Sequence, residues 1–224
     1  MKSIVAKLFL SIFLLSLVVT SSGVKYWRKG KKGKLVNIPY VISGFNDLQR
    51  QTIKEGINEI EKVSCIRFFR RNGQKDYIRF RIAGDGLGSS FLGRKGGEQF
   101  VRLNTYGSTH KFRVIHELLH ALGFHHTHQR PDRSKFVKIM RQNIKRKNLG
   151  AFEKYKGWKD IQGTPYDFES IMHYYGTAFS KNGKPTIVPV DPQWIDKFGR
   201  KEQLSEGDIL RINRLYKCPG YEKW

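Results

Sequence analysis

The sequence has little cysteine, few acidic residues and one long apolar run. Its two cysteines, Cys65 and Cys218, allow one disulfide at most. Residues 24–224 contain no hydrophobic segment long enough to span a bilayer, no internal repeat and no low-complexity linker. The glycine-rich stretch Gly84–Gly88 lacks a Walker lysine and a following helix signature, which excludes a phosphate-binding loop. These absences leave one domain, or two tightly packed lobes, of about 201 residues.

The single apolar run lies at the start of the chain. Lys2 and Lys7 precede an apolar run of twelve residues, Leu8–Val19, and small residues at Thr20–Gly23 follow. This order is typical of a signal peptide, and the run is too short to cross a bilayer comfortably. We therefore predict a signal peptide over residues 1–23 and a secreted protein, with a membrane anchor as the alternative.

The shortage of acidic residues leaves the chain strongly basic. Lysine and arginine total 42 against 19 aspartates and glutamates, and without Lys2 and Lys7 the balance is 40 − 19, or +21. Basic clusters lie at Lys25–Lys34, Arg67–Arg81 and Lys135–Lys147. Such a surface attracts anionic glycans, acidic proteins, membrane surfaces or nucleic acid, and nucleic acid is the less expected target outside the cell. A solvated face that serves solubility is the alternative.

One stretch, HELLHALGFHH from His116 onward, carries metal-binding chemistry. In a helix predicted over Thr109–Leu122, His116 and His120 lie one turn apart on the same face, so both imidazoles can reach one ion about 2.0–2.1 Å away. Gly123 then ends the helix, because a residue without Cβ readily adopts the left-handed conformation of a helix exit. Glu117, beside the first ligand, is placed to take a proton from a metal-activated water.

Three histidines beyond the turn are candidates for a third ligand. Spacing alone does not separate His125, His126 and His128. We favour His126 because it lies three residues beyond Gly123, as the extended motif requires. Three histidines would leave a fourth position for water, which is the arrangement of a catalytic zinc rather than a closed structural one. The sequence thus predicts one Zn²⁺ per chain.

A second segment, SIMHY from Ser170 to Tyr174, lies about 45 residues past the third candidate ligand, after a turn-rich approach. Met172 would lie beneath the metal site if this segment is a Met-turn. Ordinary core packing of Met172, with Tyr174 as a half-buried tyrosine, is the alternative. The first motif favours the Met-turn.

Together the two motifs resemble those of the astacin family of zinc endopeptidases, within the metzincin group. Similarity extends to Ile38–Tyr40, Gly93–Gly97 and Leu215–Cys218, and so to nearly all of the chain after the predicted signal peptide. The resemblance implies a metzincin-type, two-lobed catalytic domain over residues 24–224. It implies these roles: His116, His120 and His126 as ligands, Glu117 as general base, Met172 beneath the zinc, and Tyr174 as a hydroxyl that approaches the metal or the reacting carbonyl.

The chain departs from the family pattern at several positions. The family usually has a second disulfide, whose partners would align near Gly88 and Ser108. The glutamate that normally follows the third ligand and anchors the mature N-terminus is Thr127 here. The family usually has a propeptide whose aspartate blocks the zinc, and because the mature-like sequence begins almost directly after the predicted signal peptide, we expect no latency by that route. We therefore expect an enzyme that is active on secretion, with its N-terminus held loosely or differently.

The pattern of apolar residues predicts an α+β fold: a mixed twisted sheet backed by helices, then a largely irregular second half with a final helix. In the first half we expect a strand over Leu35–Ile42, placed at an edge or bulge by Pro39, and then a helix capped by Asn46 or Asp47 that ends near Val63. Further strands are expected at Cys65–Phe69, at Tyr77–Ile82 with Ile78, Phe80 and Ile82 inward, at an edge near Phe91 and Leu92, and at Glu98–Asn104, before Ser108 or Thr109 caps the active-site helix. In the second half we expect a strand or helix within Phe136–Ile144, an irregular stretch Gly150–Pro192 and a helix Leu204–Leu215. Because two cysteines in a secreted chain usually pair, we also predict a Cys65–Cys218 disulfide, with two free buried thiols as the alternative.

The predicted function is hydrolysis of peptide bonds in protein or peptide substrates by a zinc-activated water with Glu117 as base. A possible further partner is an anionic glycan or acidic surface, and nothing in the sequence indicates an oligomer. The rival hypothesis is a catalytically weak or inactive protease-like scaffold, a cationic protein that binds anionic glycans or host surfaces.

Overall fold

The computed structural model describes residues 23–30, 33–84, 88–104, 110–155 and 163–221. All of the predicted signal peptide except Gly23 lies outside these ranges, as do the helix caps expected at Ser108 or Thr109. Within the described ranges, no helix combines the length and the apolarity that crossing a bilayer requires.

A five-stranded sheet dominates the first half of the structure. Its strands are β1 (Val36–Ile42), β2 (Ile66–Arg70), β3 (Tyr77–Ile82), β4 (Ser89–Ser90) and β5 (Glu98–Leu103). They lie in the order β2, β1, β3, β5, β4; all pairs are parallel except that of β4 with β5. The mixed sheet confirms the predicted fold class. Its edge strand lies slightly earlier than predicted, at Ser89–Ser90 instead of Phe91 and Leu92.

Helix α1 (Asp47–Lys62) covers one face of the sheet. Asn46, one of the two predicted caps, begins it. A capping box forms there, because the Asn46 side chain accepts the N–H of Gln49 and the Gln49 side chain accepts the N–H of Asn46. Its predicted apolar stripe of Ile53, Ile57 and Ile60 is buried in the main core. The stripe and the cap together explain why this segment is helical and which face it buries.

The second helix, α2 (Lys111–Ala121), crosses α1 closely. A Cβ at Gly56 of α1 would stand 2.7 Å from a methyl carbon of Val114, so glycine is the residue that allows this approach. Val114, Ile115 and Leu118 are fully buried in the same core. Because α2 is held by α1 on one side and by β5 on the other, the face that bears its histidines is rigidly placed.

Two predictions about the strands are wrong. Pro39 does not lie in an edge strand, because β1 is flanked by β2 and β3. The Tyr40 carbonyl accepts the N–H of Arg71 on the β2 side, so Pro39 faces β3, and pairing with β3 begins only at Tyr40. The missing N–H of Pro39 therefore removes no bond of the ladder. Ile82 was predicted to be buried but is 45% exposed. It lies on the same side of β3 as Ile78 and Phe80, but it is the last residue of the strand, and no other element covers its side chain there as fully.

The second half of the structure has little regular structure, as predicted, and its own small core. Strand β6 (Val137–Ile139) pairs antiparallel with β7 (Ile187–Pro189), and α3 (Glu206–Leu215) is the final helix. β7 lies in the stretch 150–192 that was expected to be irregular. Three residues are too few for an alternating pattern to show, so only the pairing partner reveals this strand.

The predicted disulfide is present. Cys65 and Cys218 are bonded, with their Cα atoms 5.2 Å apart, and both are buried. The bond joins the residue before β2 to the chain after α3 across a sequence separation of 153. It therefore ties the first half of the fold to the end of the chain.

The segment just after the predicted signal peptide packs against the end of α2. The Trp27 indole N–H donates to the Ala121 carbonyl (3.0 Å), and the Lys25 carbonyl accepts the N–H of Arg94 (2.7 Å). Thr127, where the family has a glutamate, is fully buried, and its hydroxyl finds no hydrogen-bond partner among the described residues. This segment is thus held by backbone and indole contacts.

Candidate metal centre

Helix α2 presents two histidines to the cleft and ends one residue after the second. The ring centroids of His116 and His120 lie 4.8 Å apart. Gly123 follows the last turn with φ 101°, and a Cβ there would stand 2.6 Å from the Tyr26 ring. Both the backbone conformation and the packing therefore require glycine at this helix exit.

The turn after Gly123 brings one further histidine to the first two. His126 Nε2 lies 3.2 Å from His116 Nε2 and 3.2 Å from His120 Nε2. These three residues form a group whose ligand atoms all lie within 4.8 Å of one another. Three nitrogens this close can share one ion.

The other ring nitrogen of each histidine is held by a hydrogen bond. Nδ1 of His116 lies 2.9 Å from the Ile171 carbonyl, and Nδ1 of His120 lies 2.8 Å from the Phe124 carbonyl. A carbonyl only accepts, so both Nδ1 atoms carry the proton. Nδ1 of His126 lies 3.3 Å from Gln129 Oε1 and is held in the same way. In neutral rings, all three Nε2 atoms then present lone pairs to one another.

Three converging lone pairs test whether the site fits a metal. At 3.2 Å they repel, and none has a proton to share, so a cation between them is the arrangement that satisfies all three. Burial lowers the pKa of each imidazole, that of His120 to about 3, so the rings are neutral at pH 7. Neutral imidazoles with a fixed Nδ1 proton are the zinc ligands that proteins use most. The residues present therefore fit Zn²⁺.

The competing histidines are engaged elsewhere. His128 donates from Nε2 to the Ala151 carbonyl (3.0 Å), and its ring stacks on Tyr174 at 4.1 Å. The His125 ring packs on Tyr155 with centroids 3.8 Å apart. Neither belongs to the group of converging ligand atoms. The geometry therefore favours His126 among the three candidates.

Glu117 lies in the cleft beside the histidines. Its side chain is buried, and Oε2 has no hydrogen-bond partner among the described residues. Burial raises its pKa to about 8, against the opposing effect of Arg113. A divalent cation at the neighbouring imidazoles would lower that pKa, because an opposite charge favours the carboxylate. Gly88 makes room for the other oxygen, since a Cβ there would stand 2.9 Å from Glu117 Oε1.

Tyr174 packs against His126 in the cleft. Its ring centroid is 4.3 Å from that of His126, and the residue lines the same cleft as Glu117. Burial, followed by the nearby Glu117 carboxyl, raises the pKa of Tyr174. The phenol is therefore protonated and able to donate a hydrogen bond into the cleft.

The segment with Met172 is clamped by a buried carboxylate from α3. Asp208 Oδ1 accepts the Ser170 hydroxyl (2.7 Å), and Asp208 Oδ2 accepts the N–H of Ile171 (2.9 Å). The Ile171 carbonyl in turn accepts from the first histidine, so Asp208 is linked to His116 through the backbone of a single residue, Ile171. Met172 is fully buried in the main core.

Replacing Asp208 with asparagine should weaken zinc binding by about 10- to 100-fold, because an outer hydrogen bond that orients a ligand carries such weight. An amide cannot accept both the Ser170 hydroxyl and the Ile171 N–H, so the carbonyl that orients His116 would shift. Competition with a chromogenic chelator measures the affinity, and circular dichroism checks the fold. Asp191→Asn, at an exposed cap, is the matched control. Equal zinc affinity in the two variants would show that Asp208 has only a structural role.

The sequence pointed to the metal site but not to its supporting residues. Gly88, Gln129 and Asp208 act on Glu117, His126 and His116 from distant or unremarkable positions. Only Asp208 could have been noticed from a sequence pattern. Asp208 belongs to the capping box of α3 with Ser205, which marks it as an N-terminal helix residue but not as a clamp.

The site opens into a cleft of about 840 Å³ between the edge strand β4 and the second half of the chain. The histidines and Glu117 lie along it. An open cleft beside an edge strand suits an extended chain, which can bind by adding a strand. Fold, cleft and convergent imidazoles together define a zinc metallopeptidase domain of the α+β class.

Comparison with known sequences gives the family. The model of the Astacin peptidase family matches residues 25–217, and the chain belongs to this family. The structure is similar to that of High choriolytic enzyme 1, a hatching enzyme zinc-protease from Oryzias latipes. The TM-score is 0.80 at 38% identity, over 86% of this chain and 94% of that one.

Two curated relatives are longer than this chain, and the match covers a different share of each. The chain is 40% identical to zinc metalloproteinase nas-14 from Caenorhabditis elegans over 202 residues, which is 89% of this chain and 39% of that protein. It is 40% identical to Low choriolytic enzyme from Oryzias latipes over 197 residues, 86% of this chain and 69% of that protein. The chain thus spans well under half of the nematode protein and about two thirds of the fish enzyme.

Proposed function

We propose that this chain is a secreted zinc-dependent endopeptidase that hydrolyses peptide bonds of protein substrates. The observation that carries the proposal is the convergence of three Nε2 lone pairs beside the buried Glu117 carboxylate in an open cleft. His116, His120 and His126 would hold one Zn²⁺ per chain. Family membership and the similarity to hatching and choriolytic enzymes support the same interpretation.

Each of the remaining site residues has a role in the proposed reaction. Zinc, when bound, supplies a Lewis acid that polarises the scissile carbonyl and lowers the pKa of water. Glu117 accepts a proton from the attacking water and passes it to the leaving amine nitrogen. Tyr174 donates a hydrogen bond to the oxyanion that develops on the carbonyl. Met172 packs beneath the three histidines and supports the metal site from below. No covalent bond to the protein is formed.

Edge strand β4 would hold the substrate. It pairs with β5 on one side only, so its other edge offers backbone N–H and C=O groups along the cleft. An extended peptide binds such an edge by adding a strand. The cleft is lined by Arg113, Lys145 and Lys201, of which Lys201 pairs with Glu169 at 2.9 Å, and Glu117 is the one carboxylate among its described lining residues. We therefore propose a preference for substrates with acidic side chains near the scissile bond.

Zinc content and zinc dependence test the proposed function. Purified protein should contain one equivalent of zinc and cleave a quenched peptide library, lose cleavage on dialysis against a chelator, and regain it when Zn²⁺ is returned. The rival hypothesis, a degenerate cationic protein that only binds anionic surfaces, predicts a sample without stoichiometric zinc and without chelator-sensitive cleavage. The intact triad and Glu117 favour the peptidase.

Replacing Tyr174 with phenylalanine should lower kcat by about 10- to 10³-fold, because one donor to the developing oxyanion is lost. KM and zinc content should change little, since the ring and its stacking on His128 remain. Steady-state kinetics on one quenched peptide measures the effect. Tyr175→Phe, at the exposed neighbouring position in the same cleft, is the control. An unchanged kcat would leave Tyr174 with a packing role only.

A further inference from the structure

The face of the sheet that points away from the helices carries a group of arginines. On β3 and β5, one set of alternate residues is buried in the main core, with Ile78, Phe80 and Val101 fully inaccessible. The opposite set includes Arg79, Arg81, Phe100 and Arg102, of which Arg81 and Arg102 are exposed. Parallel strands usually have both faces covered, so an open face on this ladder is unusual.

Two of these arginines stand directly opposite each other. Arg81 pairs in register with Arg102 on the neighbouring strand, and adjacent strands are about 4.8 Å apart. Like charges in this relation destabilise a sheet. Among the described residues, no carboxylate lies within ion-pair distance of either guanidinium. The fold therefore keeps a repulsive pair that packing does not require.

An aromatic ring holds each guanidinium in place. The Cζ atoms of Arg81 and Arg102 lie 5.1 and 5.0 Å from the centroid of Phe100. A stacked guanidinium keeps its N–H edge free, and that planar fork matches the oxygens of sulfate or carboxylate groups. Stacking also restricts the side chain, so less freedom is lost when an anion binds.

Two further arginines extend the charge across the same face. The Arg71 guanidinium lies 4.1 Å from the Tyr77 ring centroid, and Arg79 lies beside the same ring and bonds to Glu98. We call Arg71, Arg79, Arg81 and Arg102, with the rings of Tyr77 and Phe100, the arginine face. Glu98 neutralises one of its four positive charges, which leaves a net charge of +3.

We propose that the arginine face binds the sulfate groups of an extended anionic glycan, at a site separate from the peptidase cleft. The proposal stands on its own and does not depend on the peptidase activity. Charge complementarity is its basis: two guanidinium forks stand opposite each other, with no carboxylate of the described residues within ion-pair distance, in a chain of net charge +23. Sulfated polysaccharides offer such groups at short, regular intervals along a flexible chain.

The rings of the arginine face distinguish this ligand from single-stranded nucleic acid. Proteins that bind single strands offer open aromatic rings on which bases stack. Here Tyr77 is 8% exposed, and Phe100 lies under two guanidinium groups. Neither ring of the arginine face is therefore open to a base, whereas the N–H forks of Arg81 and Arg102 remain open to sulfate oxygens.

The test compares the double variant Arg81→Gln/Arg102→Gln with the control Lys54→Gln/Lys181→Gln. Both lose two positive charges, and the control lysines are exposed elsewhere on the surface. Binding of a heparin oligosaccharide is measured at 50 and 200 mM salt. We take each ionic contact to add about 0.9 to the slope of the logarithm of the binding constant against the logarithm of the salt concentration. The unaltered protein, with two more contacts, should then lose about 10-fold more affinity between these concentrations than the arginine variant. The lysine control should keep the full salt dependence.

Parallel arms use desulfated heparin, single-stranded DNA of equal charge and vesicles with anionic lipid. Desulfation should remove binding to the unaltered protein, and the arginine variant should change its binding to DNA or vesicles no more than the control does. Equal losses in both variants would show that only net charge matters and would overturn the proposal. Tighter binding of DNA than of heparin, lost with the arginines, would also overturn it.

Thermal unfolding separates a lost site from a damaged fold. Because the substitutions remove like charges that face each other, the arginine variant should unfold at the same temperature as the unaltered protein or higher. Cleavage of a neutral quenched peptide should be unchanged, since neither side chain lines the cleft. Lower stability of the arginine variant would show that the pair serves the fold, and would contradict a binding role.

Discussion

Replacing Glu117 with glutamine is expected to lower kcat by about 10²- to 10⁴-fold while zinc stays bound at one equivalent. Glutamine has nearly the same shape as glutamate, so it fits the space that Gly88 leaves beside Oε1. An amide cannot accept the proton of the attacking water, and the step that needs a base then fails. The three imidazoles do not depend on this carboxylate, because each has its own partner at Nδ1.

The measurement is single-turnover cleavage of a quenched peptide together with zinc content by atomic emission. Glu55→Gln, at an exposed position of α1, is the control and should retain full activity. Retained proteolysis in the Glu117 variant would contradict its assignment as general base. Loss of zinc together with activity would instead show that the carboxylate helps to hold the metal.

Replacing both cysteines with alanine is expected to lower the free energy of unfolding by about 5 kcal/mol, the second largest effect that we predict. The bond between Cys65 and Cys218 closes a loop of 153 residues, and in the chain-entropy model a loop of that length restricts the unfolded state strongly. For a domain of this size the melting temperature should fall by about 10–20 °C. Alanine avoids placing an unpartnered hydroxyl in a buried site.

Urea unfolding gives the free energy, and the unaltered protein under reducing conditions should match the variant. At low temperature the folded variant should still bind zinc, because none of the three histidine ligands is close to Cys65 or Cys218 in the sequence. A change below about 1 kcal/mol would show that the unfolded chain is already restricted in other ways.

The predicted and observed elements agree best where a repeating pattern runs over several turns. Helix α1 shows its apolar stripe in the sequence, and that stripe is buried. The final helix predicted over Leu204–Leu215 is present as α3, with Ser205 as its cap. Short elements gave the opposite result, since β7 and the β4 edge strand have three and two residues and show no pattern of their own.

By itself the sequence determined the α+β class, the long helices, the disulfide and the positions from which His116, His120 and Glu117 project. The helices and the directions of these three side chains depend on near neighbours in the chain, whose spacing the helix repeat converts directly into direction. The two cysteines left one possible pair.

Only the tertiary structure decided the contacts between distant segments. It separated His126 from His125 and His128, placed Asp208 behind His116, set Gly88 against Glu117 and brought Arg81 opposite Arg102. The physical reason is that these contacts depend on how strands and loops pack after folding. No local spacing encodes the order of strands or the partner of a buried polar atom.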